Sequence, residues 1–558
     1  MKIFIAGAWP YANGSLHVGH VASLIPADVL ARYFRLKGDE VLYVSGSDCH
    51  GTPITVKAKQ ECKAPEKIAE FYHKEFKKCF EDLGFTYDVY SKTYSNFHYK
   101  EVKRIFLKLL KNDCLYEKEI DQTYCQKCEQ FLPDRYIEGN CPSCGNVVNG
   151  DQCEKCFQIF ETIELRNKSC KICKNEPIVK KTRHFYFKLS KFQNSIEKYF
   201  EEKSHEWKEN AINLTKRYLD EGLEDRAVTR DLDYGIDTPV EGFENKKIYV
   251  WIEAVCGYYT ASKKWALEYG KKWEDFWIND SNNIKAYYVH GKDNIPFHTV
   301  ILPSILLGLN ENLHLPDMII SSEFLNLEGR KISTSKNWAV WLPYLLKNYN
   351  ADTIRYFLLN NGPEKGDADF SWREFVYSNN IDLLGGFGNF VNRIMPFIEK
   401  YKDSFKNLEI DSDMKNKIEQ LYTSVGEKIE NGKFKESIKL IFGLVRSANK
   451  YFDDNKPWEL KKTDETKCRD VIYNCFQIIV NLLRLLEPFI PFCCEKARNF
   501  MDLPIFKWEF VEVENIKLKG NPEILFEKID KSSIEKEVNR LYNSTMVPSI
   551  GIEPTTKS

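Results

Sequence analysis

Between Cys125 and Cys173 the chain places four CxxC pairs in roughly fifty residues: Cys125/Cys128, Cys141/Cys144, Cys153/Cys156 and Cys170/Cys173. A CxxC on a tight turn sets two thiolates on one face of a tetrahedron, and two such turns close a Cys₄ site. Eight cysteines in four pairs therefore predict two zinc ions. Each would have a closed shell with no position for water, so the role is structural. Spacing alone leaves the pairing open; we take the nested arrangement. It puts Cys141, Cys144, Cys153 and Cys156 on one ion, and Cys125, Cys128, Cys170 and Cys173 on the other. The other nine of the 17 cysteines are scattered singly, apart from adjacent Cys493 and Cys494. That is metal-site usage in a reducing compartment, not a disulfide framework, and it predicts a cytoplasmic protein.

A lobe built this way is too small to hold its own core, so it reads as an insertion in something larger. The surrounding sequence is α/β. Ile3-Phe4-Ile5-Ala6 is an apolar run with strand character, broken by Pro10, Asn13 and Gly14, and followed by helical spacing from about Leu16 to Lys37. Glu40–Ser45 is a second strand, ending in Gly46-Ser47-Asp48-Cys49-His50-Gly51, with amphipathic helices at about 65–83 and 98–111. After the insertion the pattern resumes: Lys247–Trp251, Ala286–His290 and Asp317–Ser321 are strand-like, and a helix starts near Pro296. Strands alternating with helices predict a parallel sheet whose ligands bind at the carboxyl ends of its strands. From about 378 to 500 the period is helical, with long segments at 412–430, 433–453 and 467–486, which predicts a helix bundle.

Composition sets outer bounds. A chain of 558 residues implies about three to four domains. Apolar residues at 43% are ample for packed cores. A net charge of −1 means that any basic surface is local. No run of about 18 uncharged apolar residues occurs, so no membrane span is expected. The N-terminus carries one Lys and no small-residue cleavage site, so no secretory signal is expected.

Two polar loops carry chemistry. His17, Gly19 and His20 sit where a loop becomes a helix just past a strand, which makes an anion site of two imidazoles and backbone N–H groups. A lone HxGH serves equally well to pack a turn. Far along the chain, Lys331, Ser333, Ser335 and Lys336 form a basic, hydroxyl-rich loop, and Gly291-Lys292-Asp293 ends a strand between the two. Phosphoryl or adenylyl transfer needs cations and N–H donors that strengthen as charge grows on the phosphates. No Walker A motif or GxGxxG is present.

HxGH near the N-terminus with a KxSxS-like loop about 310 residues later resembles the class I aminoacyl-tRNA synthetases. WPYANGSLHVGH, SDCHGTPI, YVWIEA, GKDNIPFH and the fourfold CxxC insertion are similar to the methionyl-tRNA synthetase family, in the same order from residue 1 to about 535. The resemblance implies a Rossmann-like catalytic domain split as 1–115 and 236–322, a connective insertion over 116–235, and a loop and stem-contact region over 323–380. It also implies a helical anticodon-binding domain over 381–540; 541–558 is expected to be a disordered tail. It implies a two-step reaction of L-methionine, Mg²⁺-ATP and tRNA(Met) through methionyl adenylate, releasing pyrophosphate and AMP. His17 and His20 would contact the triphosphate, Gly291 and Asp293 the adenosine, and Lys331, Ser333, Ser335 and Lys336 the pyrophosphate. Asp48 would pair with the α-ammonium. Tyr11, Trp251, Ala254, Tyr258 and His298 match the methionine pocket, and Arg230 an arginine near it. Asn389, Arg393 and Trp458 match positions that read the anticodon, where an aromatic stacks an unpaired base and polar groups bond its edge.

Four departures from the family pattern stand out. The signature lysine is Thr334, so Lys336 or Lys331 would supply its charge. Trp9 stands beside the methionine pocket where smaller residues are usual, Val255 replaces a Pro, and Asn294 an Ile. No dimerisation module follows the bundle, so a monomer is expected. Two rival readings are a class I synthetase with altered amino-acid specificity and a non-catalytic tRNA-binding paralogue. A long hydrolytic insertion has little room in 116–235, and intact His17, His20, Asp48 and Asp293 speak for catalysis.

Overall fold

The computed structural model describes residues 1–132, 136–149, 153, 155, 160, 162–278, 283–406, 408–505, 507–519 and 523–546. Its centre is a five-stranded, all-parallel sheet. Across it the strands run Met318–Ser322, Ile284–Gly291, β1 (Lys2–Gly7), β2 (Glu40–Ser47) and Val89–Lys92. A sheet covered by helices on both faces selects continuous apolar strands, which is why Ile3, Phe4, Ile5 and Ala6 are all buried. The chain leaves β1 towards β2 on one side and returns beside β1 only at Ile284–Gly291. The crevice where strand order reverses therefore opens at the carboxyl end of β1.

α1 (Val18–Lys37) leaves that crevice and ends at Gly38, whose φ of 91° closes the helix in the left-handed region. The connective lobe is a long antiparallel hairpin, Leu115–Cys125 against Ile178–Phe187. The cysteine-rich segment sits at its tip on a three-stranded sheet of Ile137–Asn140, Val147–Asn149 and Arg166–Cys170. Among the described residues, the lobe's buried apolar cluster has ten members, and four of them are Cys125, Cys141, Cys153 and Cys170. A core so dependent on thiols matches a lobe that cannot hold itself together by apolar burial.

Past the sheet, a hairpin of Leu325–Leu327 and Arg330–Lys331 turns through Glu328 and Gly329, with φ of 47° and 73°. Positive φ at both central residues gives the two-residue turn whose twist suits a hairpin. The helices Ser412–Glu430, Phe434–Asn455 and Glu465–Leu486 form the bundle. Among the described residues between Phe500 and a last helix, Ser532–Met546, no helix or strand is found.

Two local expectations differ from the structure. Lys247–Trp251 is not one strand: only Lys247–Ile248 is extended, and Val250–Glu253 is a helical turn. A short apolar run fits a buried strand and a buried helix equally. The last helix also passes through 541–546, where a tail was expected; residues 547–558 lie outside the described residues.

One buried guanidinium joins these layers. Arg355, on the helix Ala351–Asn360, is fully buried. It pairs with Asp28 on α1 at 2.7 Å and donates to the carbonyls of Leu83, Pro488 and Phe489 at 3.1, 2.9 and 2.9 Å. Asp28 also accepts from Arg32 and from the backbone and hydroxyl of Thr86. Removing one partner of a buried pair strands the other charge. Arg355→Met should therefore lower unfolding free energy by about 3–5 kcal/mol in urea titration. Adding Asp28→Asn should recover part of that loss, whereas additive losses would show that the two side chains act independently.

Candidate active site

The crevice is assembled from loops that zip together through their backbones. After β1, Pro10 and Ala12 bracket Asp48 at the end of β2: Asp48 N–H donates to Pro10 O at 2.9 Å, and Ala12 N–H to Asp48 O at 2.8 Å. On the other flank, Val18 N–H donates to Val340 O at 3.1 Å and Leu342 N–H to Leu16 O at 2.7 Å, around a bridge between His17 and Trp341. A Cβ on Gly19 would lie 3.4 Å from Ile332 Cδ1. The HVGH turn and the 331–336 loop, far apart in sequence, are thus neighbours.

His17 caps α1. Its Nδ1 accepts from Gly19 N–H at 3.1 Å, and His20 Nδ1 accepts from His17 N–H at 3.2 Å. Accepting at Nδ1 fixes both rings as neutral tautomers with the proton on Nε2. The rings stack at 3.8 Å. Burial, and for His17 the neighbouring His20, depresses both pKa values, that of His20 to about 4. Two neutral N–H donors therefore stand over the start of α1 at any physiological pH. Lys331, Thr334, Ser335 and Lys336 are exposed, with Ser333 partly so. Ser333 Oγ is 3.3 Å from Ser335 Oγ.

Across the crevice, Asp293 follows Gly291 at the end of its strand. A Cβ on Gly291 would meet the Asp293 carboxylate at 2.8 Å, so the carboxylate needs that glycine. Asp48 is buried. Burial first, then the charge of Glu253, raises its pKa well above the carboxylate range. Tyr11 is exposed and Ala254 partly so, while Tyr258 and His298 are buried. Tyr258 Oη lies 2.8 Å from His298 Nε2, and His298 Nδ1 lies 2.9 Å from Asn294 O. With Nδ1 donating to that carbonyl, Nε2 accepts from the tyrosine. His298 sits on a π-helical turn, Phe297–Ile301, a distortion frequent at functional sites. The Trp251 side chain lies outside the described residues. Arg230 stacks on Tyr249 at 4.0 Å.

Trp9 is held in a slot. A Cβ on Gly46 would come within 2.5 Å of its ring, and one on Gly257 within 2.9 Å. Tyr258 meets it edge-on at 6.1 Å. Its Nε1 is buried and makes no hydrogen bond among the described residues. Val255 is buried nearby in the same apolar cluster.

Sequence reading missed a polar cluster beneath this pocket. Glu253 is fully buried, with Oε1 2.6 Å from His50 Nδ1 and 3.4 Å from His98 Nε2. Burial would raise its pKa, but the two histidines outweigh burial and lower it. His50 reaches Tyr99, and His98 reaches Thr260, at 2.9 and 2.7 Å. The backbone N–H of His50 donates to Asp48 Oδ1 at 3.2 Å, tying the cluster to the pocket carboxylate. A glutamate inside the apolar YVWIEA run was the available signal.

Cys125, Cys128, Cys170 and Cys173 bring their sulfurs within 4.8 Å of one another, as do Cys141, Cys144 and Cys153; Cys156 lies outside the described residues. Separations of 3.4 Å (Cys125–Cys173), 3.9 Å (Cys128–Cys170) and 3.6 Å (Cys144–Cys153) suit thiolates about 2.3 Å from a shared zinc. In the bundle, Arg393 pairs with Asp453 at 2.5 Å and stacks over Phe452 at 4.7 Å. Trp458 packs on Phe452 yet is 42% exposed. Asn389 is exposed one helical turn before Arg393.

A split parallel sheet, an HVGH helix start bridged to a lysine- and serine-rich loop, and a trailing helix bundle define a class I tRNA synthetase. The chain belongs to the family described as tRNA synthetases class I (M), whose model matches residues 3–395. A second model, the anticodon-binding domain of tRNA ligase, matches 411–546. The chain is 53% identical over 547 residues to the methionine–tRNA ligase of Bacillus mycoides, covering 98% of this chain and 100% of that one. It is 51% identical over 545 residues to methionine–tRNA ligase 1 of Alkaliphilus oremlandii, covering 97% and 100%. In fold it is similar to Mycobacterium tuberculosis methionyl-tRNA synthetase bound by methionyl-adenylate. The TM-score is 0.79 at 20% identity, over 94% of this chain and 100% of that one. No described helix is long and apolar enough to cross a membrane.

The depressed histidine pKa values have a measurable sign. Unfolded imidazoles titrate near 6.5, so the unfolded chain takes up protons first and stability falls as pH drops below 6.5. NMR titration of the folded enzyme should place the His20 midpoint at about 4. A midpoint of 6 or above would mean that the ring is not the neutral donor described.

Proposed function

We propose that this chain ligates L-methionine to tRNA(Met), using ATP and passing through methionyl adenylate. The observation that carries the reading is the backbone bridge that sets the HVGH turn beside the 331–336 loop at the switch point of the sheet. The curated relatives support methionine as the amino acid, and the solved neighbour that holds methionyl-adenylate supports the intermediate.

In this reading the methionine carboxylate attacks the α-phosphate and pyrophosphate leaves. The protein supplies position and charge stabilisation. His17 and His20 donate from Nε2 to the phosphates as neutral rings, whose protonation does not change near pH 7. Lys331 and Lys336, with Ser333 and Ser335, meet the departing pyrophosphate; Lys336 takes the place of the cation missing at Thr334. Gly291 and Asp293 hold the adenosine. Asp48 receives the α-ammonium, whose charge favours the ionised carboxylate that burial and Glu253 oppose. Tyr11, Trp251, Ala254, Tyr258 and His298 surround the thioether, with Trp9 as its outer wall and Arg230 nearby. The 2′- or 3′-hydroxyl of the terminal tRNA adenosine then takes the acyl group. Trp458, Arg393 and Asn389 read the anticodon, the tryptophan by stacking on an unpaired base. Mg²⁺ entering with ATP would supply charge neutralisation at the phosphates. Zinc would be held by Cys125, Cys128, Cys170 and Cys173 and by Cys141, Cys144, Cys153 and Cys156, and would brace the lobe. The enzyme works as a cytoplasmic monomer.

ATP–pyrophosphate exchange with each of the twenty amino acids tests the reading. Methionine alone should support it. Exchange with another amino acid would make this a synthetase of different specificity, and none at all would make it a tRNA-binding protein. Metal analysis of the purified chain should find two zinc ions, falling to one in Cys125→Ser/Cys128→Ser; unchanged content in the variant would remove those cysteines from the ligand set.

A further inference from the structure

The last helix, Ser532–Met546, carries Tyr542 onto the roots of the 331–336 loop. Arg330 immediately precedes Lys331. Its guanidinium lies 5.1 Å from the Trp338 ring and 5.3 Å from the Tyr542 ring, and the two rings are 5.2 Å apart at 65°. Trp338 is the other root: its backbone exchanges hydrogen bonds of 2.9 Å with Ser333 in both directions, closing the loop that carries Thr334, Ser335 and Lys336. Trp338 Nε1 donates to Leu327 O at 3.1 Å, so it is anchored to the strand that pairs with Arg330.

The helix bearing Tyr542 is itself fixed. Glu537 is buried and accepts from Tyr344 at 2.7 Å, Tyr349 at 3.0 Å and Arg540 at 2.8 Å. Arg540 stacks on Tyr344 at 3.6 Å. Tyr344 belongs to Leu342–Asn348, the first helix after the loop. The helix thus holds the element beyond the loop through Glu537 and Arg540, and the loop's two roots through Tyr542 on a different face. Meanwhile Lys331, Thr334, Ser335 and Lys336 between the roots stay exposed.

We propose that Tyr542 is a positioning residue for the adenylation step: with Arg330 and Trp338 it pins both roots of the 331–336 loop, so that Lys331 and Lys336 stand ready at the phosphates. The inference rests on the proposed reading of the site. A cation held against two aromatic rings that also pack on each other is tied to both of them, so displacing the strand that carries it costs two contacts. The loop therefore has fixed ends and a free middle, and its geometry depends on a residue more than 200 positions away in sequence.

Full-length Tyr542→Leu keeps apolar cover over Trp338 but removes the aromatic face; Tyr542→Phe keeps the face. In methionine-dependent exchange, Tyr542→Leu should lower kcat about tenfold while leaving KM for methionine unchanged. Tyr542→Phe should match the parent. Tryptic cleavage at Lys331 and Lys336 should quicken in Tyr542→Leu and be normal in Tyr542→Phe. Arg330→Met should cost a similar factor, and Arg330→Met/Tyr542→Leu no more than either alone. Parent-level exchange and proteolysis in Tyr542→Leu would overturn the proposal. So would a multiplicative double variant, or a Tyr542→Leu defect that Tyr542→Phe shares. If Tyr542→Leu is destabilised, Arg330→Met, on an exposed hairpin strand, still reports on the same contact. A parent enzyme without methionine-dependent exchange would instead sink the functional reading itself.

Discussion

The ion pair between Asp28 and Arg355 is the constraint on which the rest of the molecule hangs. α1 begins with the HVGH turn and carries Asp28 on its buried face. Arg355 comes from the region after the 331–336 loop, and its remaining donors satisfy carbonyls after the Pro65–Asp82 helix and at the end of a bundle helix. Inside the protein these carbonyls have no water to turn to, and the guanidinium's rigid fork meets several at once. This side chain thereby joins the helix bundle to the helix that leaves the crevice, beside contacts such as Tyr33 with Glu430 and the Cys493 N–H with Asp352. A lysine, with its single ammonium, could not span the same set.

Within the crevice the same economy holds. Each loop is defined by backbone pairing with another loop rather than by its own turn chemistry, so functional side chains project from a scaffold that does not bend with them. The imidazoles at the start of α1 use Nδ1 to cap the helix and keep Nε2 for the crevice. In the proposed reading, capping and phosphate binding fall on opposite edges of one ring.

Much of the fold was legible because its elements announce themselves locally. The apolar strands, the three long bundle helices and the CxxC pairs are periodic or spaced in ways that need no tertiary knowledge. The 331–336 loop was recognisable by its residues, and the family resemblance implied that it meets His17 around one triphosphate, but the bridge to Trp341 that sets the two side by side was not readable. The Glu253–His50–His98 cluster was legible only at one end: a glutamate in an apolar run stands out, but its partner His50 is 203 positions away. Lys247–Trp251 shows the opposite failure, a local signal too short to separate strand from buried turn. Trp9 stood out as an odd residue, but only the fold explains how a ring that large is accommodated.

That accommodation constrains how such a chain can change over time. Gly46 and Gly257 come from different segments and each leaves room for the same indole. While Trp9 is present, neither glycine can gain even one carbon. Once Trp9 is replaced by a smaller residue, Gly257 is released, whereas Gly46 stays held, because a Cβ there would still lie 2.5 Å from the carbonyl oxygen of Ser91. Trp9 and Gly257 therefore form a ratchet: a lineage that fills that glycine after losing the tryptophan closes the way back.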